Sequence, residues 1–294
     1  MPVKRCAFLT MDSLDGFFSY DELLYEPLRL LGWSVEPIPW RRTAVEWDAY
    51  EAVVIRTPWD YQQDPSGFLA VLEQIEDSST RLLNPLELVR WNIDKRYLLD
   101  LADSGVMIVP TVLDRGLDAE RLQGLFDRLG ADRIVVKPTI GANATDALPL
   151  SRKADGEAWA GAIRAFADRP YLAQPFVRSV VEVGEYSLCF FGGKYSHAVL
   201  KKPKAGDFRV QEEHGGLIRA VDPEPALLAS AAKAVAAVSP TPLYARADLV
   251  RLAAGEWATM ELEVIEPSLY FSFDAASPER FASVFDGWMT ADRT

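Results

Sequence analysis

The chain holds only two cysteines and two histidines among its 294 residues, and no CxxC pair. With so few of each and no paired CxxC, the sequence argues against a structural zinc site. Cys6 and Cys189 each lie in an apolar, strand-like segment, which suits reduced core residues better than a disulfide and points to a cytoplasmic setting. Positive charge is also in deficit: 31 Lys and Arg against 43 Asp and Glu leave a net charge of −12. That balance argues against nonspecific binding to nucleic acid or a membrane surface, since both need a basic face. No apolar run approaches the roughly 20 residues of a membrane span. Met1-Pro2-Val3-Lys4-Arg5 runs straight into a strand-like segment rather than a leader, and repeats and low-complexity tracts are absent.

What the chain does have is a change of pattern along its length. Short apolar strands at 6–10, 34–39 and 52–55 alternate with helical segments at 21–31 and 68–75. This is the pattern of a small doubly wound α/β lobe ending near residue 85. A helix over 93–102 stopped by Gly105, a β-rich stretch over 106–112, and helices at 119–129 and 157–167 follow, with strands at 134–137 and 171–177. Strands at 186–191 and 195–200 join at Gly192-Gly193, a hairpin signal, and a helix over 226–238 precedes strands at 243–251 and 258–265. The fold class is α/β first and α+β afterwards.

Cations stand out because they are scarce. Lys137 ends the apolar run Ile134-Val135-Val136 and faces a loop of small residues, Gly141-Ala142-Asn143-Ala144. An ammonium beside backbone that can approach closely suits a phosphate, although an ordinary strand-end lysine has the same surroundings. Lys95 falls in the first turn of the helix expected over 93–102, where a cation opposes the helix dipole unless an anion is near. Lys201, Lys202, Lys204 and Arg209 crowd the stretch after the second hairpin strand, as an anion-binding loop or a solvated one. Strand alternation puts Arg246 and Asp248 on one face, and Glu261 and Glu263 on one face of the next strand. If those strands pair, three carboxylates converge and require a cation among them, Mg²⁺ by ligand type, or form a charge ladder with Arg246.

In this order the pieces resemble the ATP-grasp superfamily over residues 85 to 275, with Gln174-Pro175-Phe176-Val177 as the hinge segment. The resemblance implies an N-terminal lobe over 1–85, a linker helix and small lobe over 86–178, and a metal-bearing lobe over 179–294. It implies that Lys95, Lys137 and Lys201 contact ATP, that Gln174 and the backbone at Phe176 and Val177 face adenine, and that Glu182 or Glu185 holds the ribose. Asp248, Glu261 and Glu263 would hold magnesium, two ions with manganese as the substitute, although the family usually carries Asn at the last position. Arg209 would steady the γ-phosphate and acyl phosphate, and Arg246 a substrate carboxylate.

A narrower likeness is carried by Arg56-Thr57-Pro58-Trp59-Asp60-Tyr61, Asn84-Pro85, Arg90-Trp91-Asn92 and Glu266-Pro267-Ser268-Leu269. These segments are similar to those of glutathione-synthetase-like ligases, in the subgroup that includes O-ureido-serine cyclo-ligases. It implies substrate contacts from Arg56, Trp59 and Asp60, where a helix-facing salt bridge at Arg56 and loop packing by Trp59 are the other readings. It also implies a ligase acting on an amino-acid-like or peptide substrate, with intramolecular cyclisation and a non-catalytic ATP-binding protein as alternatives. Family members often pair, so a homodimer is compatible with it.

Overall fold

The computed structural model describes residues 3–142, 144–153 and 156–291; Asn143, in the small-residue loop after Lys137, lies outside them. The N-terminal lobe is a parallel sheet of β1 (Lys4–Thr10), β2 (Trp33–Pro39), β3 (Ala52–Thr57) and β4 (Arg81–Leu83), in the order β2-β1-β3-β4. Every residue of β3 is buried, as a central parallel strand covered on both faces requires. The helix expected over 21–31 is a 3-10 turn, Asp21–Leu24, followed by α1 (Tyr25–Leu30). Pro27 lacks an N–H and sits in the first turn of α1, the one place where none is needed. α2 (Pro65–Glu76) starts with Pro65 at its first position and the Asp64 carboxylate accepting from the Gly67 N–H at 2.9 Å.

The helix expected over 93–102 is broken. α3 (Leu86–Asn92) and α4 (Tyr97–Asp103) flank a short link that carries Lys95. There the Lys95 N–H donates to the Thr139 carbonyl at 2.8 Å, and the Thr139 hydroxyl donates to Asp94 at 3.0 Å. These bonds tie the link to the small lobe instead of to a continuous helix. Lys95 therefore stands before a helix, not within its first turn.

The small lobe is an antiparallel sheet of β5 (Val112–Arg115), β6 (Arg133–Pro138), β7 (Leu148–Ser151) and β8 (Pro170–Pro175), in the order β5-β8-β6-β7. Helices α5 (Ala119–Leu129) and α6 (Gly156–Phe166) supply its core through Leu122, Phe126 and Phe166. Asp118 caps α5 at one end, and Gly130, at φ 59°, closes it at the other. The expected β-rich stretch over 106–112 enters this sheet only at its last residue; Ile108 instead bridges Thr259 of the third sheet.

That third sheet runs β11-β10-β9-β12-β13, from β9 (Glu185–Phe191), β10 (Lys194–Lys202), β11 (Leu217–Ala220), β12 (Tyr244–Arg251) and β13 (Trp257–Glu263). α7 (Arg178–Glu182) leads into it, and α8 (Pro225–Ala236) buries Leu227, Ala231 and Ala234 against it. The Gly192-Gly193 turn has φ of 55° and 74°, the left-handed region that glycine enters without a side-chain penalty. α9 (Ser277–Ala291) returns to the first lobe, where Asp286 takes Lys4 at 2.7 Å and the Trp33 indole at 2.8 Å.

β13 is an edge strand whose outer side is closed by side chains from the first hundred residues. Asn92 donates to the Leu262 carbonyl at 2.8 Å and accepts from the Val264 N–H at 3.0 Å, while the Tyr97 hydroxyl accepts from the Leu262 N–H. Asn84, fully buried, donates to the carbonyls of Tyr244 and Val264 and accepts from the Leu243 N–H at 2.6 Å. Removing it leaves three buried backbone groups without partners. Asn84→Ala is expected to cost about 3 kcal/mol of stability, read as a lower denaturant midpoint at unchanged m-value.

Candidate active site

The small lobe and the third sheet face each other across a cleft, and most of the sequence-selected residues meet there. Lys137 reaches across from the end of β6 to Glu261 at 3.1 Å, and Lys95 donates to the Gly141 carbonyl at 2.5 Å with Glu261 at 3.6 Å. β12 and β13 pair with Arg246 opposite Glu263 and Asp248 opposite Glu261, so the predicted hairpin face exists. Carboxylate oxygens of Asp248, Glu261 and Glu263 lie within 4.8 Å of one another. Arg246 forks onto Asp248 at 3.0 and 2.9 Å, reaches Glu263 at 2.5 Å, and donates to the Ser268 carbonyl at 3.2 Å. The charge ladder with Arg246 exists, and the three carboxylates are gathered on the same face. Such a donor set fits Mg²⁺, which takes oxygen ligands and tolerates nearby phosphate.

Lys201 is fully enclosed between Glu185 at 2.5 Å and Asp248 at 3.2 Å, and the Ser187 hydroxyl donates to Asp248 at 2.5 Å. Burial works to lower the Lys201 pKa, but Asp248 and Glu185 outweigh it and hold the ammonium well above its ordinary value. Burial likewise opposes ionisation of Asp248 and Glu261. Arg246 and Lys201 overcome it at Asp248, Lys137 and Lys95 at Glu261, and both acids fall to about 2. At Glu263 burial prevails over the pull of Arg246, with Asp248 and Glu261 adding repulsion, and the carboxyl is raised to about 7.

Along the rest of the cleft, Gln174 is buried and donates to the Thr111 hydroxyl at 3.0 Å. The Phe176 N–H is spent on the Arg133 carbonyl at 2.9 Å, so that amide is not free to meet a purine. Its ring sits under the Arg133 guanidinium and faces Phe208, while Val177 lines the same wall. Arg209 also lines the cleft, gripped by Asp207 at 3.1 and 2.8 Å.

Three of the expected residues are not in the cleft. Arg56 is almost fully buried, paired with Asp21 at 2.9 Å, bonded to the Pro267 carbonyl and stacked over Tyr244; it is committed to holding lobes together, not to gripping a substrate. Asp60 is taken by the Trp40 indole at 2.7 Å and by Arg41. Glu182 ends helix α7, outside the cleft, whereas Glu185 lines it. Trp59 does line it, its indole donating to the Glu266 carbonyl at 2.8 Å. Ser187 and Tyr270 escape sequence reasoning, whereas Tyr61, Asn92 and Glu266 stand in the segments that carry the narrower likeness, with no role given to them there. Alternation from Glu185 along β9 offered a signal for Ser187; Tyr270 has none.

Comparison with known proteins follows this geometry closely. Residues 6–84 match the family model described as D-cycloserine synthetase DcsG, N-terminal domain. The cycloserine biosynthesis protein DcsG of Streptomyces lavendulae is 37% identical over 288 residues, covering 93% of this chain and 95% of that one. The crystal structure of D-cycloserine synthetase DcsG superposes at a TM-score of 0.86 with 34% identity, over 97% of this chain and all of that one. A D-alanine–D-alanine ligase from Bacillus anthracis shares the fold at a TM-score of 0.67 and 13% identity, over 99% and 98% of the two chains.

The opposed carboxyl shifts predict a stability profile with two slopes for the protein free of metal and nucleotide. Asp248 and Glu261, depressed on folding, stabilise above their unfolded values near 4 and lose this as pH falls toward about 2. Glu263, raised on folding, favours the folded state below its ordinary 4.5 and loses that contribution as pH rises through about 7. Melting temperature should therefore fall on both sides, and Glu263→Gln should flatten the fall between pH 5 and 7 while leaving the acid side unchanged.

Proposed function

We propose a reaction that proceeds from the chain's family: the chain belongs to the D-cycloserine synthetase (DcsG) family and is an ATP-grasp ligase. In our reading it transfers the γ-phosphoryl group of ATP to a substrate carboxylate and lets a nitrogen displace the phosphate. The substrate is an amino acid of the O-ureido-serine kind, whose own nitrogen closes the ring. The observation that carries the reading is the meeting of Lys95, Lys137 and Arg246 with three carboxylates on the paired strands β12 and β13.

Asp248, Glu261 and Glu263 would hold magnesium, in our reading two ions, which when bound neutralises charge on the phosphates and the developing acyl phosphate. Lys137 and Lys95 now share Glu261, and phosphate oxygens offer them a stronger partner at the same place. Gln174, the carbonyl side of Phe176 and Val177 would face adenine, Glu185 the ribose, and Lys201 the nucleotide's phosphates. Arg209 lies where the basic loop meets the cleft and would steady the transferred phosphoryl group. Arg246 helps keep Asp248 ionised, bonds Glu263, and donates from its remaining nitrogen to the Ser268 carbonyl, beside which a substrate carboxylate would lie. Groups already aimed and already desolvated need little reorganisation as charge moves, which is where most of the acceleration would come from.

The test is ADP release from Mg-ATP in the presence of O-ureido-serine, free amino acids or short peptides. Release stimulated by O-ureido-serine with a ring-closed product supports the reading, and stimulation only by a pair of amino acids or a peptide replaces it with intermolecular ligation. Lys137→Ala is expected to lower kcat/KM about 10²–10³-fold. Arg209→Ala should act mainly on kcat, since its contact is made as the phosphoryl group moves.

A further inference from the structure

Among the buried carboxylates that line the cleft one has no cation; Glu212 and Glu213, which also line it without an ion pair among the described residues, are only half-buried. Glu266 follows β13, is 8% exposed, and lines the cleft on the side of the N-terminal lobe. The neighbouring acids are each matched: Asp248 by Arg246 and Lys201, Glu261 by Lys137 and Lys95, Glu263 by Arg246, Glu185 by Lys201. Among the described residues no Lys, Arg or His forms an ion pair with Glu266, and Tyr61 lines the cleft beside it.

Aromatic surface surrounds it. Trp59 is pinned by its indole to the Glu266 carbonyl, Phe17 packs on Trp59 at 5.5 Å between ring centres, and Tyr61 is 4% exposed. Phe18 stands at the mouth of the cleft. A buried carboxylate costs free energy unless a positive charge joins it, and aromatic faces add attraction for a cation while shedding water. Arg246 also lines the cleft and donates from Nη1 to the carbonyl of Ser268, two residues from Glu266.

The geometry points to Glu266, walled by Trp59 and Tyr61, as the site that receives the α-ammonium group of the substrate while Arg246 receives its carboxylate. This rests on the amino-acid substrate of the proposed reaction and adds its polarity: ammonium toward the N-terminal lobe, carboxylate toward the metal-binding face. The ion pair supplies specificity for α-amino acids over hydroxy or des-amino acids, because an uncharged group there leaves Glu266 buried and uncompensated.

The experiment pairs turnover with binding, using O-ureido-serine and its des-amino analogue against wild type and Glu266→Gln. In wild type, calorimetry with ADP and magnesium present should show the amino compound bound at least thirtyfold more tightly than the analogue. In Glu266→Gln that preference should collapse to within threefold, KM for O-ureido-serine should rise thirtyfold or more, and KM for ATP should stay as it was. Tyr61→Phe, which keeps the carboxylate, should lose only a severalfold part of the preference, and it serves alone if Glu266→Gln does not fold. Equal wild-type affinity for the two compounds, or a preference that survives both substitutions, overturns the assignment. Absence of ADP release with an amine preference that Glu266→Gln removes would refute the ring-closing reaction and leave the ammonium site standing.

Discussion

The structure turns on keeping like charges together where water is scarce. Asp248, Glu261 and Glu263 occupy facing positions on β12 and β13, and a hairpin with three carboxylates on one buried face does not hold without counter-charge. The protein distributes that duty among distant segments: Lys95 from the link between α3 and α4, Lys137 from the small lobe, Lys201 from β10 and Arg246 from the same strand as Asp248. Each cation is thereby drawn to the place where a triphosphate would need it. The interactions that stabilise the ligand-free cleft are the ones a nucleotide and metal would exchange into.

Exchange of this kind needs a backbone that does not relax when partners change. Asn84, Asn92 and Tyr97 close the outer edge of β13 with side-chain hydrogen bonds, and the N–H of Val109 and the carbonyl of Met107 do so beside Thr259. Polar side chains here do the work of a neighbouring strand. Glu261 and Glu263 are thus presented from a strand bonded on both sides, which fixes their spacing to within what one cation's ligand sphere tolerates.

Much of this was legible from residue order. The hairpin of β12 and β13 shows in its alternation, and its pairing follows from one short turn, so the convergence of three carboxylates could be foreseen. Lys137 was legible because an apolar run ends on it. Arg56 was not: a strand-end arginine reads the same whether it meets a substrate or Asp21, and only the packing of α9 and the first lobe decides. Lys95 was misplaced because the bonds that interrupt its helix come from Thr139, in another lobe. Glu182 and Glu185 could not be separated until α7 was seen to carry one of them outward. Glu266 was legible only as a member of the Glu266-Pro267-Ser268-Leu269 likeness, since its character lies in which cations are absent around it.

The small lobe occupies residues 112 to 175 as an unbroken stretch, and Lys4 and Trp33 meet Asp286 of α9 on the other side of the molecule. The chain therefore enters that lobe once and leaves it once, at two adjacent strands, β5 and β8, that are bonded to each other. Two covalent tethers side by side define an axis, and a body held on an axis keeps rotation as its one easy freedom. Sliding or twisting would have to stretch a tether. Any rotation about that axis would change first the separation of the Lys137 ammonium from Glu261, 3.1 Å in this structure.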